Sequence, residues 1–190
     1  MKTLHNLVAL LVSGIFLVSC SDTKSAALEA KIASLETELQ AYKAAESLTQ
    51  ERLIAFDTLD FEFYTNQKWE GFSQSHTDDI VVYNADGSIS KGLYSNHIDD
   101  LKPMFVFAPD TKIKTHPVKF GTGDWTAVIG ELEGTFTEPM PIGAGKSIPP
   151  TGKKFKLKMA TIGHWDGTKM TEEYLFYDNL SFMKQIGLAE

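Results

Sequence analysis

The chain has 190 residues, 43% hydrophobic and 23% charged, with a net charge of −7 and Arg52 as its only arginine. Those fractions describe a folded, water-soluble domain, not a disordered tail or a bundle of membrane spans. An acidic chain without a basic stripe argues against nucleic-acid binding, and one cysteine rules out a disulfide framework within the chain.

The first segment reads as a leader. Met1 and Lys2 open it, residues 7–18 are almost wholly apolar, and Leu17-Val18-Ser19-Cys20 closes it. A basic start, a short apolar run and a small residue before the cut describe a secretory signal over residues 1–19. Cysteine at the cut itself is the pattern of a bacterial lipobox, in which Cys20 is lipidated and becomes the first mature residue. The expected location is the bacterial envelope, lipid-anchored to a membrane, and Ser21 after the cysteine favours the outer one. Two or three acyl chains exceed the marginal hold of a single chain, since each buried CH₂ adds about 0.8 kcal/mol.

Residues 20–47 read as a tether and spacer helix. Leu28, Ile32, Leu35, Leu39 and Tyr42 recur at steps of four and three, with helix-forming Ala, Glu, Lys and Gln between them. The seam lasts about two heptads, so a spacer that pairs two chains as a homodimer and a helix folded back on its own domain are both open. Ser47-Leu48-Thr49-Gln50 has the form of a capping box, which predicts a restarted helix and a domain covering residues 48–190.

Within that domain, residues 53–66 predict a helix rich in aromatics, and residues 69–75 a second, shorter one. Asp79-Ile80-Val81-Val82-Tyr83 predicts a strand, closed by the turn Asn84-Ala85-Asp86-Gly87. Residues 92–107 predict a third helix. Strands follow over 111–120, 125–136, 154–164 and 169–177, with a proline-rich loop over 137–152 and a hairpin turn at Asp166-Gly167. Residues 179–188 close the chain as a short helix. On the strand from Lys154, Phe155, Leu157 and Met159 alternate with Lys154, Lys156 and Lys158, the mark of a sheet with one buried face. The fold class is therefore α+β, a curved antiparallel sheet wrapped round about three helices.

Ile148-Pro149-Pro150-Thr151-Gly152-Lys153, followed by Glu172-Glu173-Tyr174-Leu175-Phe176-Tyr177-Asp178-Asn179-Leu180 and Gln185-Ile186-Gly187, resembles the SnoaL-like polyketide cyclase or ester cyclase family. Those proteins are cone-shaped barrels of the NTF2-like superfamily. The resemblance implies a pocket between the helices and the concave sheet, but not a reaction, because one fold hosts many activities. It also implies a catalytic Asp three positions before Asp178 and a His on the preceding strand. Those positions fall on Leu175 and on Thr161 or Ala160, so the cyclase acid and base are missing.

What chemistry is left is sparse. Glu173 shares a strand face with Leu175. It is a carboxylate in an apolar pocket if that face points inward, and surface charge if not; the surface reading is favoured. Asp178 is expected to cap the last helix. Tyr64, Trp69, Tyr83, Trp125, Thr161, Tyr174 and Leu175 are the candidate pocket residues. His76, His97, His116 and His164 stand on separate elements without metal-ligand spacing, His76 reading as a helix cap, so neither a metal nor a cofactor is expected. The leading expectation is a pocket that binds a small apolar or amphipathic ligand without catalysis. The alternatives are an enzyme with a relocated acid and base, and a structural module that presents the domain to a partner. Two ionisable groups meeting at the pocket floor would point to the enzyme.

Overall fold

The computed structural model describes residues 2–190, with side chains from residue 23 onward. Cys20 and the leader side chains lie outside the described side chains, and no described helix is long and apolar enough to cross a membrane. The chain divides into two compact units, residues 1–45 and 46–190. In the first, Leu28, Ile32, Leu35, Leu39 and Tyr42 are all exposed along one helix. That helix, α1, runs from Lys2 to Thr58 without interruption. The capping box predicted at Ser47 is therefore corrected: the first-turn amides that such a box would satisfy are already bonded within a continuous helix.

The second unit is an α+β domain. Beyond Thr58 the helix widens into a π-helical turn, Leu59–Tyr64, and a 3₁₀ turn follows at Trp69–Gln74. Strand β1 is His76–Tyr83 and β2 is Ile89–Lys91. A second π turn, Leu93–His97, leads into α2, Ile98–Phe107. Then come β3 (Lys112–Ile113), β4 (Val118–Thr122), β5 (Trp125–Thr135), the small ribbon β6 (Met140–Pro141) with β7 (Ser147–Ile148), β8 (Lys154–Asp166) and β9 (Lys169–Phe176). Helix α3, Asn179–Ile186, ends the fold. Its ends follow local rules. Asp178 accepts the Ser181 amide at the N-cap, and Gly187 takes the left-handed conformation after the last turn (φ 81°).

The main sheet runs β2-β1-β9-β8-β5-β3, with β4 also paired to β5. All its ladders are antiparallel except β1 with β9, which are parallel. The single strand expected over 111–120 is split into β3 and β4 along the same edge of β5. Pro117 has no amide to donate at the break, and His116 beside it turns inward. Strand β1 starts earlier than predicted, at His76, which is buried rather than capping a helix.

The inner face carries Ile80 and Val82 of β1, Val128 and Leu132 of β5, Phe155 and Leu157 of β8 and Met170 of β9, all buried. Against them pack Phe56 from the first helix, Leu59 from the π turn after it, Phe72, Phe105 and Phe107, and Phe182 from α3. Arg52 is 2% exposed and fixes α1 to the sheet. Its Nε donates to the Gly167 carbonyl (2.8 Å), Nη1 to the Gly123 carbonyl (2.7 Å) and Nη2 to Asp124 Oδ1 (3.2 Å).

Candidate active site

Two adjoining chambers open between the helices and the concave face. The inner one, about 50 Å³, is walled by Leu59, Asp60, Tyr64, Phe72, His97, Leu101, Ile113, Met159, Thr161, Glu173 and Leu175. The outer one, about 270 Å³, shares Tyr64, Leu101, Met159 and Leu175 and adds Met104, Leu132 and Leu157, with Asn84, Asp86, Ser88, Asp100 and Tyr177 also lining it. An inner space of this size takes a polar group or a water or two, since a water's share of liquid is about 30 Å³. The outer space takes an apolar body, at the small end of ligand pockets.

Asp60 reaches the inner chamber because of the π turn. The wider turn carries a 5-residue hydrogen bond from the Thr65 amide to the Asp60 carbonyl (3.1 Å). The Thr65 hydroxyl donates to the Asp60 carbonyl (2.8 Å), with the Ile113 carbonyl as a second acceptor in reach (3.1 Å), and accepts the Ile113 amide (2.9 Å), tying that turn to β3. His116, from the break between β3 and β4, lies between two carboxylates. Its Nε2 bonds Asp60 Oδ2 (2.8 Å) and its Nδ1 bonds Asp57 Oδ1 (2.8 Å). Asp57 in turn pairs with Lys119 nearer the surface.

The electrostatics follow from that sandwich. Burial pushes the Asp60 carboxyl above its ordinary range, the His116 hydrogen bond opposes it, and the nearby charge of Glu173 adds to the rise. Burial works to lower the His116 pKa, but the bonds and charges of Asp60 and Asp57 outweigh it and raise it. Burial likewise works to raise Asp57, and Lys119 and His116 overcome it, holding that carboxyl low. With a carboxylate oxygen on each ring nitrogen, the surroundings of His116 favour its imidazolium form, next to a carboxyl that burial makes more basic.

The opposite wall holds a second cluster. Glu173 is 5% exposed and lines the inner chamber, which corrects the surface reading. Oε2 of Glu173 lies 3.3 Å from His97 Nε2 and 3.8 Å from His76 Nε2. His97 ends the second π turn and His76 opens β1, so three distant segments converge. The dispersed-histidine reading is thereby corrected, because the parallel pairing of β1 with β9 brings together what the sequence separates.

Thr161 and Leu175, two of the positions that the resemblance implies for a cyclase's acid and base, face each other across the β8–β9 ladder and both line the inner chamber. Tyr64 lines both chambers. The other aromatic candidates are corrected. Trp69 packs edge-on to Tyr64 and Phe105 (6.4 and 5.7 Å) outside the cavity lining. Tyr83, Tyr174 and Trp125 leave the sheet on its outer face, where Tyr83 stacks on Tyr174 (4.4 Å) and Trp125 on His164 (4.3 Å). Even–odd alternation placed Tyr174 opposite Glu173, and only one of the two could face inward.

Residues 57–186 match the family model of the SnoaL-like polyketide cyclases. Among solved structures, the chain is similar to a protein from Jannaschia sp. CCS1 described as a SnoaL-like polyketide cyclase, at 16% identity and TM-score 0.64, over 75% of this chain and 96% of that one. A protein from Streptomyces antibioticus described as a polyketide cyclase aligns at 19% identity and TM-score 0.60, over 72% of this chain and 98% of that one. A third, from Catenulispora acidiphila, has a ketosteroid isomerase-like fold and was crystallised with trimethylamine. It aligns at 18% identity and TM-score 0.56, over 74% and 95%. At such identities the likeness is one of fold. No significant match is found among curated proteins.

Proposed function

Since the chain belongs to the SnoaL-like polyketide cyclase family, and the seats that the resemblance implies for that family's acid and base fall on Leu175 and on Thr161 or Ala160, we propose that it is an acid–base enzyme with relocated proton-handling groups. Its substrate is small, with an apolar body for the outer chamber and a carbonyl-bearing end for the inner one. Asp60 is the general base that takes a proton next to that carbonyl. His116 holds the Asp60 carboxylate in place and, with Asp57 and Lys119, balances charge as the proton moves. The observation that supports this reading is the Asp57–His116–Asp60 sandwich, in which His116 is enclosed, Asp57 is half-buried and the inner carboxylate, Asp60, opens on the cavity. It displaces the expectation of an inert receptacle, because a wall made only to hold an apolar ligand gains nothing from desolvated charge.

The test is hydrogen–deuterium exchange at the carbon next to the carbonyl in a panel of small cyclic ketones and diketones, followed by NMR. The chain is expected to accelerate exchange of at least one member, and Asp60→Asn to remove that acceleration by about 100-fold or more, the usual span of general-base catalysis. No acceleration by the native chain across the panel, or an undiminished rate in Asp60→Asn, defeats the proposal. The same reading places the enzyme in the bacterial envelope, held at the outer membrane by lipid on Cys20. That part is supported by the leader and lipobox alone.

A further inference from the structure

We propose that His76, His97 and Glu173 form a binding site for one divalent transition-metal ion, zinc or ferrous iron, open to the inner chamber. The first support is a tautomer. His76 Nδ1 lies 3.1 Å from the Phe72 carbonyl, which can only accept, and 3.0 Å from the Ser75 hydroxyl, which itself donates to that carbonyl (3.3 Å); a proton on Nδ1 serves both oxygens and leaves the Nε2 lone pair to be presented. That Nε2 lies 3.8 Å from Glu173 Oε2, too far for a hydrogen bond, and neither atom has a hydrogen-bond partner although both are buried. Two electron-rich atoms facing each other out of water call for a cation between them.

The second support is geometry. The donor atoms of the three residues all lie within 4.8 Å of one another, and His97 Nε2 is 3.3 Å from the shared carboxylate oxygen. Ligands of one zinc ion, each about 2.0–2.1 Å from it, stand roughly 3–3.5 Å apart, so small side-chain rotations close the set. Two imidazoles and one carboxylate are the donor set of catalytic zinc sites and of non-haem ferrous sites, both of which keep positions open for water or substrate. The backbone contact on His76 Nδ1 is the outer-sphere support such ligands need, and its ring is further fixed by stacking on Phe72 (5.6 Å between centroids).

His97 and Glu173 line the inner chamber along with Asp60. An ion there would polarise a substrate oxygen while Asp60 handles the proton. Binding of the ion stands on the three ligands and does not depend on whether Asp60 is a base.

The experiment uses the full chain, stripped with a chelator and titrated with Zn²⁺, with Co²⁺ as a coloured stand-in, and with Fe²⁺ under argon. Expected are one ion per chain by calorimetry and visible Co²⁺ bands. Glu173→Gln and His97→Gln should each weaken binding by about 100-fold or more, given that even outer-sphere changes weaken metal sites 10–100-fold. Metal-free melting curves establish that each variant is folded, and Asp60→Asn should bind metal like the native chain. Failure of all three ions to bind more tightly than about 1 mM, a Kd worth roughly −4 kcal/mol, overturns the proposal. So does affinity unchanged in both ligand variants. Ketone exchange by the stripped chain separates the two ideas: exchange without metal binding leaves the base standing and removes the ion, and the reverse result does the opposite.

Discussion

His116 sits between Asp57 and Asp60 with a hydrogen bond to each, and its side chain is almost wholly enclosed. Because its pKa is raised in the folded chain, the stabilisation it brings is complete below the unfolded value of 6.5 and is lost as the pH climbs through the raised one. His97 works the other way, since burial lowers its pKa and folding is opposed where an unfolded histidine would be charged. Comparison with a variant isolates the first effect. His116→Gln is expected to cost about 2–4 kcal/mol near pH 6, because two carboxylates lose the cation between them, and the gap should narrow steadily above pH 7. Urea unfolding of both chains from pH 6 to pH 9 measures it, and a gap independent of pH would show that the imidazole is not charged. None of this was legible in the residues. His116 was one of four histidines without a pattern, and the nearest hint, Asp57 and Asp60 three positions apart on a helix, is shared by many solvated surfaces.

Among elements, the sequence revealed most where periodicity was long. The alternation along β8, the Asp166-Gly167 hairpin and the Asp178 cap all follow from local rules. Both π turns escaped notice, because Leu59–Tyr64 and Leu93–His97 have the composition of any helix and their extra residue shows only in the hydrogen bonding. Yet these turns carry Asp60 and His97. Arg52 was visible as the only arginine, but its work depends on tertiary placement. It binds the turn between β4 and β5 and the turn between β8 and β9 to one point on α1. Arg52→Leu keeps the bulk and strands two carbonyls, so a loss of ~3 kcal/mol is expected by chemical denaturation, with Arg52→Lys recovering only part. A loss within 0.5 kcal/mol, the usual span of surface substitutions, would mean that those turns hold themselves.

For the whole molecule, the leader and the domain make separate predictions. If Cys20 carries lipid, bacteria fed a labelled fatty acid will label the native chain and leave Cys20→Ala unlabelled, with the variant recovered in the soluble fraction. The melting of the domain should be identical in both, since Cys20 belongs to the first unit and the pocket to the second. Label retained in the alanine variant would refute the lipobox reading. The parallel pairing of β1 with β9 has a consequence in time. The first strand of the domain waits for the last, roughly a hundred positions later, a long-range closure that is slow to fold. Until the carboxy-terminal end has left the ribosome and taken its place, Glu173 is not beside the imidazoles and the hollow lacks a wall. A nascent or interrupted copy therefore lacks the meeting of Glu173 with His76 and His97, which is made only when the last strand is laid beside the first.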